Sequence, residues 1–142
     1  MELHIRPATA ADLDFLASHD RHIARQELRY AVERGRILLA EWKGKPCGWL
    51  RYNLFWDNTP FMNLLYLLEP YRGKGVGRAL TLHWEAAMAA QGYPTVMLST
   101  AADEYAQHFY TKLGYAAAGG FTPPGDPYEL IFTKVLTAPQ ND

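Results

Sequence analysis

The chain has 142 residues, 49% of them hydrophobic and 20% charged, the balance of a folded domain rather than of a disordered or fibrous chain. That length supports one core and not two, so a single domain over residues 1–142 is expected. Fourteen Lys and Arg against fifteen Asp and Glu leave a net charge of −1, which offers no global positive field to draw in nucleic acid or an anionic membrane.

The single cysteine, Cys47, excludes a disulfide framework and a cysteine-based zinc site. The five His are scattered without metal-ligand spacing, so no metal is expected. The opening Met1–Pro7 lacks the charged-then-apolar build of a leader. No run reaches the roughly 18 apolar residues of a membrane helix. A cytoplasmic protein is expected.

In chain order, Leu3–Arg6 is predicted as a short strand ended by Pro7. Thr9-Ala10-Ala11-Asp12 has capping-box spacing, and Leu13, Leu16 and Ala17 follow at helical period. Asp20 is expected to cap a second helix over Arg21–Arg34, stopped by Gly35. Arg36–Trp42 and Cys47–Trp56 read as strands around a turn at Lys43–Pro46, and Asp57–Pro60 turns the chain back. The almost wholly apolar Phe61–Leu68 is expected to be a central strand buried on both faces.

From Gly75 to Gln91, Val76, Leu80, Trp84, Ala87 and Met88 make one helical stripe, closed by Gly92. Thr95–Thr100 is a strand by its β-branched content, and Asp103 is expected to cap a short helix carrying Ala106, Phe109 and Leu113 on one face. Tyr115–Ala118 and Glu129–Leu136 are the last predicted strands, around a loop at Gly119–Pro127. The order β-α-α-β-β-β-α-β-α-β-β describes a mixed α/β (α+β) domain. Its first half is mostly antiparallel and its second half holds a βαβ crossover.

The informative segment is Leu67-Leu68-Glu69-Pro70-Tyr71-Arg72-Gly73-Lys74-Gly75-Val76-Gly77-Arg78. A strand runs into a glycine-rich turn that opens directly into a long helix. Glycines at 73, 75 and 77 let a ligand approach the backbone, where N–H groups and the helix dipole favour an anion. Arg72, Lys74 and Arg78 add positive charge at the same spot. A pyrophosphate suits this chemistry. The Walker pattern requires Ser or Thr after Gly-Lys, and the dinucleotide fingerprint requires G-x-G-x-x-G; neither is met.

Arg72, Gly75 and Gly77 match R/Q-x-x-G-x-G/A, and Leu68-Glu69-Pro70 supplies a hydrophobic-x-Pro lead-in. In this the segment resembles motif A of the GNAT superfamily of acyl-CoA N-acyltransferases. Asp103–Tyr115 is similar to that family's second signature, N-x-x-A-x-x-F-Y-x-x-x-G-F/Y, with Asp103 where Asn is usual. The resemblance covers the whole element order and implies the GNAT fold: a central mixed, mostly antiparallel sheet of six to seven strands with about four helices. It implies acetyl transfer from acetyl-CoA directly to a primary amine within a ternary complex.

Residue by residue, the resemblance implies that the backbone of Arg72, Gly73, Lys74, Gly75, Val76, Gly77 and Arg78 holds the CoA pyrophosphate. Leu67, Leu68 and Glu69 would bond the pantetheine arm, and Phe109 would pack along it. Asp103 would keep the helix cap but lose amide donors to the pantetheine. Tyr110 would protonate the leaving thiolate. An acceptor amine near pKa 10.4 is only about a thousandth deprotonated at neutral pH, a deficit of roughly 4 kcal/mol. The fourth-strand acid common in the family is missing, and Glu41, Asp57, Glu69 or water are the candidate bases.

Trp49, Tyr52, Phe55, Trp56 and Phe61 cluster where acceptors bind in the family, divided between core and substrate lining. Arg21, Arg25 and Arg29 make a stripe read as a solvated helix face, and His83, His108 and Cys47 are read as structural. The acceptor is a small-molecule or peptide amine: a polyamine, an antibiotic amine, an amino acid or a protein N-terminus. The sequence leaves the oligomeric state open; a homodimer through the last strands would cover the sheet edge near which the apolar Leu130–Leu136 is expected to lie. The alternatives are a longer acyl donor, or a CoA-binding sensor without turnover.

Overall fold

The computed structural model describes residues 2–102 and 105–136. Its strands are β1 (Leu3–Pro7), β2 (Ile37–Trp42), β3 (Lys45–Phe55), β4 (Thr59–Leu67), β5 (Thr95–Ala101), β6 (Ala116–Phe121) and β7 (Glu129–Val135). Its α-helices are α1 (Leu13–His19), α2 (Arg25–Glu33), α3 (Val76–Ala90) and α4 (Ala106–Lys112). The strands follow the order β1-β2-β3-β4-β5-β7-β6. β4 and β5 run parallel, joined through α3, while β1–β2, β2–β3, β5–β7 and β6–β7 are antiparallel. Two compact units divide the chain, Met1–Asn53 with Leu64–Trp84, and Leu54–Asn63 with Glu85–Asp142.

In the first unit, Ala8, Leu16, Leu28, Val32, Ile37, Leu39 and Trp49 form one buried cluster. Ile37, Leu39 and Trp49 alternate along β2 and β3, so they share the face on which α1 and α2 lie. Tyr52, on the other face, meets Trp84 of α3 with ring centroids 5.8 Å apart. The capping-box spacing resolves into a single 3₁₀ turn, Ala10–Asp12, ahead of α1. There the Thr9 N–H donates to Asp12 Oδ2 at 2.8 Å, and Arg6 holds the same carboxylate at 2.8 and 3.0 Å.

Hydrogen bonds from Arg6 keep the Asp12 carboxyl below its usual range. A carboxyl lowered on folding stabilises the protein above its unfolded value of 3.8 and loses that contribution as pH falls through the folded value. Asp12→Asn should therefore lower the urea midpoint at about pH 6, and its gap to the wild type should narrow as pH falls below 3.8. A gap of constant size across that range would show that the ion pair carries none of it.

Asp20 is not the cap of α2. That helix begins at Arg25 with Ala24 as its N-cap, because the Asp20 carboxylate is used elsewhere. It accepts from Arg51 Nε at 2.9 Å, Arg51 Nη2 at 3.3 Å and Trp49 Nε1 at 3.3 Å. Arg21 consequently lies outside the helix, and Arg25 pairs with Asp14 at 3.1 Å in solvent.

In the second unit, Val96, Leu98 and Thr100 of β5 and Phe132 of β7 are buried, on the side where Tyr110 of α4 reaches Met62. Glu85 of α3 accepts from Tyr115 Oη and from Lys134 Nζ, each at 2.8 Å, and Lys134 also donates to the Leu113 carbonyl at 2.7 Å. Burial and the Glu85 carboxylate push the Tyr115 phenol well above its ordinary range.

Three further expectations change. β4 is not buried on both faces: only Pro60 and Met62 are buried along it, and Asn63 and Tyr66 are exposed. β6 extends through Phe121, so the loop before β7 shortens to residues 122–128. β7 lies between β5 and β6, so the strand at the edge is β6 and not the apolar Leu130–Leu136 segment.

Candidate active site

The glycine-rich segment lies in the first unit, where β4 ends and α3 begins. Leu67 and Leu68 are half-buried, and the Leu68 N–H donates to the Cys47 carbonyl at 2.9 Å. Glu69 opens a 3₁₀ turn, Glu69–Tyr71, that carries Pro70. Gly73 (φ +76°) and Gly75 (φ +85°) are both left-handed, a conformation that costs other residues roughly 1–2 kcal/mol. Apart from each glycine's own chain neighbours, no atom of the described residues lies within 4 Å of where a Cβ would stand at either glycine. The space over the loop is therefore open to a ligand rather than filled by the fold.

Val76 and Gly77 are buried at the root of α3, while Lys74 and Arg78 are exposed. The Ala79 N–H bonds to the Gly75 carbonyl at 3.0 Å. The amides just before it have no partner within the helix, and they sit at the positive end of its dipole. An anion fits there.

Arg72 is used differently from expectation. Its Nε donates to the Leu67 carbonyl at 3.0 Å, and its guanidinium carbon lies 5.4 Å from the centroid of the Tyr66 ring. The side chain therefore braces the strand end, and positive charge over the loop comes from Lys74 and Arg78. Gly48 of β3 packs against the same strand end: a Cβ there would meet Leu67 Cδ2 at 2.5 Å and the Tyr66 carbonyl at 2.8 Å.

In the second unit, Phe109 is half-buried on α4 and its ring lies 5.0 Å from that of Tyr110. Tyr110 is buried, with its hydroxyl 3.5 Å from Met62 Sδ. Asp103 lies outside the described residues. β4 pairs with β5 only at Phe61↔Met97 and Met62↔Leu98. Ser99 is thus the first β5 residue beyond the shared register, and its hydroxyl donates to Glu129 Oε2 at 2.8 Å.

The candidate bases part company here. Glu41 accepts from Arg6 Nη2 at 3.1 Å, whereas Asp57 is exposed at the β3–β4 turn with φ +64° and Glu69 is exposed. Trp49 is core and Tyr52 is buried, while Phe55 and Trp56 are exposed, Trp56 at 79%. Phe61 stays half-buried beside Phe55 at 6.1 Å. Sequence reasoning missed Arg51 and Glu129, whose partners lie about thirty residues away and leave no local spacing to read. No described helix is long and apolar enough to cross a membrane, and no cluster of three His, Cys, Asp or Glu suited to a metal occurs among the described residues.

The glycine-rich loop opens α3 beside a mixed seven-stranded sheet, and residues 5–115 match the model of the acetyltransferase (GNAT) family. The chain belongs to that family. Among solved structures it is similar to Ard1 from Thermoplasma volcanium at 16% identity and a TM-score of 0.84, covering 97% of this chain and 100% of that one. It is similar to the ribosomal-protein-S18-alanine N-acetyltransferase from Escherichia coli at 18% identity and a TM-score of 0.81, covering 99% and 97%. It also resembles yncA, a putative acetyltransferase from Salmonella typhimurium solved with its cofactor acetyl-CoA, at 18% identity and a TM-score of 0.75, covering 99% of each chain. No curated protein matches by sequence.

Proposed function

We propose that the protein transfers an acetyl group from acetyl-CoA directly to a primary amine in a ternary complex. The observation that carries this reading is the open, left-handed Gly73–Gly75 backbone at the start of α3. Bound acetyl-CoA supplies the activated thioester. The amides of residues 73–78 would hold its pyrophosphate, helped by Lys74 and Arg78. Leu67–Glu69, held by the Arg72 brace, would receive the pantetheine arm.

Direct transfer fits the one thiol. Cys47 is buried, and burial raises its thiol pKa, so it is a poor nucleophile for an acyl-enzyme. The acceptor is a small-molecule or peptide amine. A protein N-terminus is the favoured class, because the Escherichia coli neighbour named above acts on an alanine of a ribosomal protein.

Tyr110 is assigned the proton for the departing thiolate. Tyr110→Phe should lower kcat at least about tenfold while leaving acetyl-CoA binding unchanged, since the ring still packs and only a transition-state contact is lost. A thiol with pKa near 8.5 leaves unaided above that pH, so the deficit should shrink as pH rises through it. The check is kcat against pH for both proteins. Equal values throughout would reduce Tyr110 to a packing residue, and acetyl-CoA binding without thiol release would favour a sensor.

A further inference from the structure

We propose that Glu129 is the carboxylate that takes the proton from the acceptor amine, an assignment that rests on the transferase reading above. Within the second unit, the sheet has one face against α4, where Met62, Leu98 and Phe132 are buried. The opposite face carries Met97, Ser99, Ile131, Thr133 and Glu129, all only half-buried. Glu129 is the one carboxylate on the described strand residues of that unit. Its Oε2 accepts the Ser99 hydroxyl at 2.8 Å. The side chain is thereby held at the point where β5 leaves its register with β4, and Oε1 is left to receive a proton.

Few other charges compete for it. β5 and β6, which pair with β7 on its two sides, hold no titratable side chain among their described residues. Lys134 belongs to the other face of β7 and is engaged by Glu85. Tyr128 precedes Glu129 with its ring over Gly120, and Asp126 is exposed in the loop before it. Glu41, by contrast, already serves Arg6.

The step balances without a further reagent. The ammonium gives one proton to Glu129, its freed lone pair forms the N–C bond to the acetyl carbon, and the C–S bond breaks. The nitrogen, which still carries one proton more than an amide, releases it to solvent. The thiolate takes a proton from solvent or from Tyr110, which then regains one from solvent, and Glu129 returns its own to water.

The test is kcat/KM for the amine against pH from about 6 to 9, for wild type and Glu129→Gln. The probes are n-butylamine, spermidine, kanamycin and an Ala-initiated tetrapeptide, with acetyl-CoA affinity measured separately by calorimetry. With Glu129 present the reacting pair is carboxylate plus ammonium, so the wild-type profile should be flat below the amine pKa. Glu129→Gln must wait for free amine, so its profile should rise about tenfold per pH unit and lie about a hundredfold below wild type at pH 7.

Parallel profiles would overturn the assignment and leave the transferase reading standing. A wild type that acetylates none of the four amines would overturn both. Should Glu129→Gln not fold, Ser99→Ala carries the test: releasing Oε2 should lower kcat about three- to tenfold with acetyl-CoA affinity unchanged, and an unchanged kcat would overturn the assignment.

Discussion

Gly75→Val should weaken acetyl-CoA binding by at least about a hundredfold, close to 2.7 kcal/mol. Two effects combine. At φ +85° a β-branched residue is strained, so the loop shifts toward another backbone path. Its side chain would also stand in the space that the fold leaves empty over the loop. The control is Gly35→Val. Gly35 has φ +71° and the same open surroundings, but it follows α2 and lies outside the glycine-rich segment. Both variants should lose comparable stability in urea, and only the Gly75 variant should lose the titration heat of acetyl-CoA. Equal affinities in the two folded variants would remove the loop from the binding site.

Asp20→Ala should destabilise the protein by about 3–5 kcal/mol, because it strands the Arg51 guanidinium in the core. The Asp20 side chain is fully buried and that of Arg51 is 8% exposed, so water cannot replace the lost acceptor. Trp49 Nε1 and the His22 N–H lose their partner at the same time. Arg51→Leu combined with Asp20→Ala should recover a large part of the loss, since an apolar pair needs no partner. Thermal unfolding of the two variants decides this. A single variant within about 1 kcal/mol of wild type would mean that the Arg51 side chain finds solvent after all.

Local chemistry made much of this molecule legible from sequence. The apolar stripe Val76, Leu80, Trp84 and Met88 is the buried stripe of α3. The crossover from β4 to β5 follows from the long helix between two apolar runs. The glycine segment was readable because glycine has few other reasons to recur every second residue at a strand-to-helix turn. Features that depend on distant partners were not readable. Asp20 has the chemistry of a cap, and only Arg51 and Trp49, folded against it from β3, draw it away. The apolar run Phe61–Leu68 cannot reveal that its pairing with β5 stops after two residues, so burial on both faces was inferred where half-burial occurs. Likewise, nothing in Glu129–Leu136 announces that β6 flanks it and takes the edge itself.

The place of β7 between β5 and β6 also orders events during synthesis. All seven residues of β5 pair with β7, from Thr95↔Val135 to Ala101↔Glu129, and β6 has β7 as its neighbour. Neither strand can complete its ladder until residues 129–135 have left the ribosome. At about 5–20 residues per second, the first unit, whose segments end at Trp84, has seconds to close before the second can be completed. During that wait β6 presents Ala116-Ala117-Ala118-Gly119-Gly120-Phe121, in which Phe121 is the one large apolar side chain. The edge strand β6 therefore has little with which to recruit a wrong neighbour in the short interval before β7 follows it.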